Sequence, residues 1–260
     1  MNKRTTVSVS LAAAAIAAGV LASVAPASAH GYPSSPFESR QAICHKGNDW
    51  GNVKDDGTGL NPESVSIKDP ACRAAFAEGV KNQGGGPAAR ATVANAFNQP
   101  QSVLQGSSTV DGVSGQHRTL IPDGKLASAD NGGGEYSGFD LPRADWTRST
   151  LRSGAEVELS YHATAHHAGG HIEYYVTKDG ADLSKPLKWD DLEPIPFAYV
   201  SDPNLSDKTE TRNKNVYSGN YKFKVKLPEK DGNHIIYTIW QREAGSAETF
   251  YAVSDVTFVK

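Results

Sequence analysis

Hydrophobic and polar residues alternate strictly over residues 155–165, "AEVELSYHATA". The alternation predicts a β-strand whose buried face carries Val157, Leu159, Tyr161, Ala163 and Ala165. Similar short runs follow later in the chain and end in turn-forming residues: "HIEYYVTKDG", "YKFKVKLPEKDGNHIIYTIWQRE" and "TFYAVSDVTFVK". Because short strands dominate this part and helix signals are scarce, we expect an all-β fold, an antiparallel β-sandwich.

The first part of the chain has a different pattern. Residues 30–115 are rich in Gly, Asn, Pro and Ser, and they contain one clear helix signal. Asp69 is the expected N-cap, Pro70 the first helical residue and Gly79 the end of that helix. We interpret residues 82–101 as an extended surface loop, because the segment before them has too few large apolar side chains for a core of its own.

The N-terminus has the order of a secretory signal peptide. Basic residues precede an apolar run over residues 9–24, and a small-residue triplet follows at residues 27–29. A membrane anchor is the alternative, but the run is interrupted, rich in Ala and not followed by a charged stop. We therefore predict a signal peptide over residues 1–29 and a secreted, extracellular mature chain, residues 30–260, that forms a single domain.

Charge and cysteine content narrow the possible partners. The sequence carries a formal net charge of −3, and removing Lys3 and Arg4 makes it −5. A mildly acidic chain with no block of Lys or Arg argues against nucleic acid and membrane surfaces as partners. Cys44 and Cys72 are expected to form a disulfide in an extracellular protein. Metal binding by these two cysteines is the alternative, but neither belongs to a CxxC motif.

Four of the eight histidines lie between residues 162 and 171. Neutral imidazole binds zinc, copper, iron and nickel, although each histidine alone could equally be a surface or turn residue. A zinc-protease site is not favoured, because "HATAH" (residues 162–166) has Ala where Glu is needed and lies in a strand pattern. Serine-hydrolase chemistry lacks a GxSxG motif, and the scattered Asp and Glu residues reveal no glycosidase pair.

Cleavage after Ala29 would make His30 the first residue of the mature chain. A terminal histidine offers its free α-amine and its ring Nδ1, which together can chelate one ion. A second imidazole would complete a roughly planar set of three nitrogens, a geometry that favours copper over zinc. If the strand alternation continues past Ala165, His167 supplies that third nitrogen, whereas His162 and His166 point to the other face.

A set of motifs recurs in a fixed order over residues 30–260 and carries a family resemblance. The motifs are "HGYPSSPFESRQAIC", "DPACRAAFAEG", "IPDGKLASA", "FDLPRADW", "TAHH" leading into "YYVTKDG", "LKWDDLEPIPF", "HIIYTIWQRE" and "ETFYAVSDV". With these motifs the chain resembles the bacterial lytic polysaccharide monooxygenases, the auxiliary activity family 10 or chitin-binding type 4 group.

The resemblance implies a fold and a site. The fold is a fibronectin-III or immunoglobulin-like sandwich with a long loop-and-short-helix insertion after the first strand. His30, through its amine and side chain, and His167 would hold one copper ion that cycles between Cu(II) and Cu(I). Phe250 corresponds to an aromatic at the axial position, and Ala165 to a small residue that crowds the opposite side. Glu248 corresponds to a polar residue thought to steer the oxygen species.

The same resemblance implies oxidation of C1 or C4 in a β-1,4-linked polysaccharide. The expected partners are an insoluble polysaccharide surface, an external electron donor, and O2 or H2O2, and the expected state is a monomer. A non-catalytic carbohydrate-binding module and an extracellular copper carrier are the alternatives.

Two departures from the family pattern bear on the substrate. Relatives often carry a second disulfide that starts where this chain has Ala127, and they display Trp or Tyr in the loop before "PDG". In that loop Phe97 is the only aromatic of this chain. Because sugar rings stack on exposed aromatics, the substrate stays open between chitin, cellulose and another glucan, and so does the role of residues 81–106.

Overall fold

The structure is a computed structural model, and it describes seven stretches of the chain. They are residues 30–46, 67–98, 102–105, 114–130, 134–211, 217–242 and 248–260, without the side chains of His30 and of residues 102–105 and 114–116. The predicted signal peptide, residues 1–29, lies outside the described residues.

Strands and helices alternate unevenly along the described chain, with the helices gathered near its start. In chain order the elements are β1 (His30–Ser35), α1 (Arg40–Lys46), α2 (Pro70–Asn82), α3 (Gly86–Phe97), β2 (Ser102–Gln105), α4 (Ser114–Leu120), β3 (Ser149–Arg152), β4 (Glu156–Ala165), β5 (His171–Val176), β6 (Ala198–Ser201), β7 (Leu205–Glu210), β8 (Tyr217–Lys226), β9 (Gly232–Gln241) and β10 (Glu248–Val259).

The strands form two sheets. One sheet has the order β1-β4-β8-β7, and the other has the order β2-β10-β9-β5-β6 with β3 also paired to β10. All neighbours are antiparallel except β3 and β10, which run parallel. The two sheets enclose a core, so the predicted all-β sandwich is confirmed.

The alternation in β4 produces the predicted buried face. Leu159, Tyr161, Ala163 and Ala165 are buried, and Val157 is half-buried. They pack against aromatic side chains of the opposite sheet, and the ring centroids of Tyr161 and Trp240 lie 5.4 Å apart. Such close packing is what a two-layer fold requires of alternating strands.

The helices cover the outer face of the larger sheet and form a second core there. This second core includes Phe76, Phe97, Phe139, Tyr237 and Tyr251, which are all buried. The Phe97 and Phe139 rings stack with their centroids 4.6 Å apart. We call α1, α2, α3, α4 and the turn Ser137–Asp140 the helical cover. The predicted insertion after the first strand therefore exists, and it contains more helix than the sequence indicated.

Two local predictions in this cover are wrong. Residues 82–101 do not form an extended loop throughout, because α3 (Gly86–Phe97) lies among them and buries Val93 and Phe97. Helix α2 begins as predicted, since Asp69 Oδ1 accepts a hydrogen bond from the amide of Cys72 at 2.9 Å. The helix does not end at Gly79 but continues to Asn82. A side chain at position 79 would meet the carbonyl oxygen of Glu135.

The predicted disulfide is confirmed and joins the first two helices of the cover. Cys44 of α1 and Cys72 of α2 are bonded, with their Cα atoms 5.3 Å apart. A second link joins the cover to the sheet, because Arg40 of α1 pairs with Asp255 of β10 through contacts of 2.6 and 3.1 Å. Both charged side chains are buried.

None of the helices in the described ranges combines the length and apolarity needed to cross a lipid bilayer.

Candidate functional site

The candidate site lies where β4 ends and the chain turns into β5. Strand β4 ends at Ala165 and β5 begins at His171, so His167 lies in the connection rather than in the strand. The strand alternation from which His167 was predicted therefore continues as far as Ala165. It does not reach His167, which lies beyond the end of the strand. His167 is half-buried in this connection.

Pairing of the first strand brings His30 to the same place. In the antiparallel pair of β1 and β4, the residue opposite His30 is Ala165. His167 follows Ala165 by two residues, so the main chain of His30 lies at the end of the sandwich that carries His167. The side chain of His30 and the cleavage before it lie outside the described residues, and its ligand role stays a prediction.

Arg242 links two of the predicted site residues. Its Nη1 donates to Oε2 of Glu248 at 2.7 Å, and its Nη2 lies 3.0 Å from Nδ1 of His167. A guanidinium can only donate, so Nδ1 of His167 is the acceptor in this contact. A neutral imidazole that accepts at Nδ1 carries its proton on Nε2, so Nε2 of His167 can bind a metal only when Nδ1 bears the proton and this contact is replaced.

Glu248 is buried at 2 % exposure and paired with Arg242. It is therefore not a solvated surface glutamate. Burial of a carboxylate is tolerated when a charged, hydrogen-bonded partner accompanies it, and Arg242 is that partner. The predicted role of Glu248 near an oxygen species is not tested by this contact and stays a prediction.

The sequence analysis assigned no role to Arg242, although the motif "HIIYTIWQRE" contains it. Arg242 follows β9 directly, whereas His167 follows β4, and 75 residues separate them. Because β9 ends at Gln241 and β10 begins at Glu248, Arg242 lies at the end of the sheet. Nothing in a single sequence indicates which imidazole it meets there.

The connection that carries His167 is held by backbone contacts. Gly170 has a φ of +78°, and a Cβ at this position would overlap the carbonyl of Gln241. The amide of Gly169 donates to Oδ1 of Asp202 at 2.9 Å, and the amide of Asp202 donates to the carbonyl of Gly170 at 2.8 Å. The end of β6 therefore fixes the turn in which His167 lies.

The imidazoles of the two neighbouring histidines have other partners. Nδ1 of His166 lies 2.7 Å from the hydroxyl of Tyr221, and burial lowers the pKa of this imidazole. Nδ1 of His162 lies 3.2 Å from Oδ1 of Asn220. The Tyr221 hydroxyl also lies 3.5 Å from the carbonyl oxygen of His167, whereas the imidazole of His167 has its own contact with Arg242.

Phe250 lies on the inner face of the larger sheet, close to the same end. It is buried at 2 % exposure, pairs with Trp240 across β9 and β10, and its ring centroid is 5.1 Å from that of Trp240. Ala165 is also buried, opposite His30. Both side chains therefore lie near the site as apolar groups, and their axial positions relative to a metal stay predictions.

The donor atoms at this end of the sandwich suit a copper ion better than a carboxylate-bound metal. No group of three or more His, Cys, Asp or Glu side chains suited to a metal occurs in the described part of the chain. Imidazole nitrogen from His167, with the amine and imidazole that a processed His30 would add, is a donor set acceptable to copper in both of its oxidation states. The residues therefore fit copper, with no carboxylate ligand required.

The two sheets bring the main chain of His30 and the imidazole of His167 to one end of the sandwich. This arrangement defines the class: a candidate metalloenzyme with a β-sandwich fold. The comparison with known families identifies which one. Residues 30–256 match the family described as "Lytic polysaccharide mono-oxygenase, cellulose-degrading", and this chain belongs to that family. The predicted family is therefore confirmed. Members of the family are copper-dependent, which agrees with the predicted cofactor.

One similar curated protein is named for chitin binding. The chain is 37 % identical over 147 residues to the chitin-binding protein CbpD of Pseudomonas aeruginosa. That match covers 55 % of this chain and 34 % of the relative. The chain therefore spans about a third of the length of this chitin-binding protein.

Solved structures confirm the fold. A lytic polysaccharide monooxygenase important for chitin utilization in Cellvibrio japonicus is 29 % identical, with a TM-score of 0.57, and the match covers 88 % of this chain and 100 % of that one. The cellulose-active enzyme CelS2, solved in complex with copper, is 26 % identical, with a TM-score of 0.57 and coverage of 88 % and 99 %.

Proposed function

We propose that this chain is a secreted, copper-dependent enzyme that oxidises C1 and/or C4 of a β-1,4-linked polysaccharide, chitin or cellulose. An oxygen atom is inserted into the C–H bond beside the glycosidic oxygen, and the hydroxylated carbon then releases the neighbouring sugar. The oxygen atom comes from H2O2, or from O2 with electrons and protons from an external donor, and water is the other product. We assign this activity to a single monomeric domain, residues 30–260, that is released by cleavage after Ala29.

One juxtaposition carries the proposal. His30 lies opposite Ala165 at the end of the sandwich, and His167, two residues further on, lies beside Arg242 at the same end. This is the pair of residues that would hold copper if processing exposes the His30 amine. The family match, which begins at residue 30, supports the same assignment.

Each remaining site residue has a proposed task that follows from its contacts. Bound copper would supply the one-electron redox chemistry that activates the oxygen co-substrate. Arg242 pairs with the Glu248 carboxylate and lies beside the His167 ring, whose Nδ1 must release this contact and carry the proton when Nε2 binds the metal. We propose that Glu248 accepts a hydrogen bond from the co-substrate or from a water molecule, and that Phe250 excludes polar groups from its side of the site. Ala165, opposite His30, would crowd the side of the site away from Phe250.

The names of the relatives favour a second candidate function. CbpD is named as a chitin-binding protein, and a non-catalytic module on this fold would bind polysaccharide without needing a processed His30. A copper carrier would bind the metal and leave polysaccharide intact. The three candidates predict different outcomes in one experiment.

The experiment is mass spectrometry of soluble products from chitin and from cellulose. The processed, copper-loaded chain is incubated with each polysaccharide, a reductant and either O2 or H2O2, and oxidised oligosaccharides are expected. His167→Ala should lower their yield by about 100-fold or more, because it removes a metal ligand. Binding of the variant to the polysaccharide should change little.

His162→Ala is the matched control, because it removes an imidazole of the same strand that contacts Asn220 and leaves the site complete. A chain with one additional residue before His30 should also lose activity and copper affinity while it keeps the same thermal midpoint. Absence of oxidised products from every polysaccharide would contradict the monooxygenase proposal. Binding without oxidation would then identify the binding module, and tight copper binding without polysaccharide binding would identify the carrier.

A further inference from the structure

The aromatic that the sequence offered as a sugar contact is not available for one. Phe97 is 1 % exposed and stacks on Phe139 inside the helical cover. Large exposed hydrophobic side chains are few in the described part of the chain, namely Leu120, Ile195, Tyr199 and Val259. Tyr199, at 55 % exposure, is the aromatic among them.

Tyr199 lies at the end of the sheet that carries the candidate site. It belongs to β6, whose residue Ser201 pairs with His171, the first residue of β5. Asp202, three residues after Tyr199, anchors the turn of His167 through Gly169 and Gly170. The exposed ring is therefore attached to the same short segment that positions His167.

One face of the Tyr199 ring is already occupied and the ring is held in place. It stacks on the imidazole of His171, with ring centroids 5.0 Å apart and planes inclined by 22°. His171 is itself buried and lies 3.3 Å from Oε1 of Glu173, the residue directly opposite Tyr199. Glu173 also accepts a hydrogen bond from the hydroxyl of Tyr175 at 2.6 Å.

The contacts of Glu173 also favour its ionised form. Burial opposes ionisation of Glu173, but the contacts with His171 and Tyr175 outweigh it and lower the pKa of the carboxyl. The support is thus a buried set of side chains, in which Tyr175 hydrogen-bonds to Glu173 and His171 lies 3.3 Å from the same carboxylate. A ring held by such a support loses little rotamer freedom when something stacks on its open face.

We propose that the open face of Tyr199 is a saccharide-binding contact that extends the polysaccharide surface of the enzyme beyond the copper site. The ligand class is a pyranose ring, whose C–H face packs on an aromatic face while its hydroxyl groups reach polar neighbours. Ser201 and Asp202 are exposed polar neighbours on the same segment. A lone aromatic among polar residues suits a sugar better than a protein partner, whose interface requires a larger apolar core.

This inference rests on the proposed function for its ligand, and it is tested by binding rather than by activity. Binding isotherms of the mature chain on chitin and on cellulose are measured with the wild type, Tyr199→Ala and Tyr199→Trp. Tyr199→Ala should weaken binding to one or both polysaccharides by about three- to tenfold, and Tyr199→Trp should retain or strengthen it. Ile195→Ala, which removes another exposed apolar side chain of the neighbouring loop, should have no effect.

Controls separate the possible failures. Tyr199→Val replaces Tyr199→Ala if the latter lowers the thermal midpoint, because a β-branched residue suits an edge strand. Unchanged binding in the folded Ala or Val variant would overturn the inference. A change in sedimentation mass without a change in polysaccharide binding would also overturn it, since the ring would then contact a second copy.

The copper site gives an independent readout. Copper affinity and the paramagnetic resonance spectrum of bound Cu(II) should be the same in Tyr199→Ala as in the wild type. If the wild type yields no oxidised product but Tyr199→Ala still weakens binding, the proposed activity fails and the saccharide contact stands. If oxidised products form and Tyr199→Ala binds as well as the wild type, the saccharide contact fails and the activity stands.

Discussion

The two faces of the larger sheet are buried by different means. The inner face packs on a second sheet through a shared apolar core, and long antiparallel strands with continuous main-chain pairing make up each sheet. The outer face is buried under the short elements of the helical cover. In the described part of the chain these elements are not joined to one another by long runs of main-chain hydrogen bonds. Strand pairing within each sheet and apolar packing between the sheets therefore stabilise the inner layer, whereas the outer layer depends on a few specific side-chain links.

The links of the cover are a disulfide, a buried ion pair and an aromatic stack. Cys44 joins Cys72, Arg40 joins Asp255, and Phe97 stacks on Phe139. The residues that form the candidate metal site lie instead on strands or on the turns that follow them. We infer that the cover can be loosened while the His167 site keeps its geometry, and stability measurements can test this difference.

The largest effect is expected from breaking the ion pair between the cover and the sheet. Asp255→Ala leaves the buried Arg40 guanidinium without its carboxylate, and removal of one member of a buried pair costs about 3–5 kcal/mol. Urea unfolding should show this loss. Hydrogen exchange should report loss of protection in α1 and α2, with little change in β4 and β8.

Two further variants identify the cause of that loss. Arg143→Ala removes a solvent-exposed partner of Asp145 and should cost less than about 1 kcal/mol. Asp255→Leu combined with Arg40→Met removes both charges and should be more stable than Asp255→Ala. Equal losses of protection in β4 and α1 would argue against separate stabilisation of the two layers.

A smaller loss is expected when the disulfide is removed. Cys44 and Cys72 close a loop with a sequence separation of 28, and the loss of such a constraint costs about 3 kcal/mol. The double Cys→Ser variant should therefore have a lower thermal midpoint, while the copper affinity of the processed chain stays close to that of the wild type. A large fall in copper affinity would show that the cover supports the site.

The sequence predicted the sandwich far better than the cover, for a physical reason. In β4 the alternation of large apolar and polar side chains marks one buried face, and Leu159 and Tyr161 confirm it. Helix α3 buries mainly small side chains, such as Ala89 and Ala94, and follows a run of glycines. Small residues give a weak hydrophobic periodicity, so the segment resembles a linker until its contact with Phe139 is known.

The candidate site was predictable only in part. His30 and His167 follow from the signal-peptide pattern, from strand parity and from the family motifs. Arg242 and Tyr199 do not, because their importance depends on contacts with residues far away in sequence. The contact of Arg242 with His167 spans 75 residues, and the exposure of Tyr199 depends on which strand forms the edge of the sheet.

The smallest effect we predict concerns a carboxyl group inside the cover, Asp140. Its Oδ1 accepts hydrogen bonds from the amides of Ala127 and Ser128, both at 3.0 Å, and its Oδ2 is buried with no hydrogen-bond partner in the described part of the chain. Burial raises the pKa of Asp140 to about 6, although the hydrogen bonds from Ser128 oppose the rise.

An acid with a raised pKa in the folded state binds a proton more tightly there than in the unfolded chain, so its contribution favours folding at low pH. That contribution of Asp140 is present near pH 4 and is lost as the pH rises through about 6. Asp140→Asn lacks the titration, so the wild type should lose about 2 kcal/mol relative to the variant between pH 4 and pH 7. Urea unfolding of both chains across this range measures the difference. Parallel pH profiles would show that water reaches Oδ2 and that this part of the cover is less tightly packed than the sandwich beneath it.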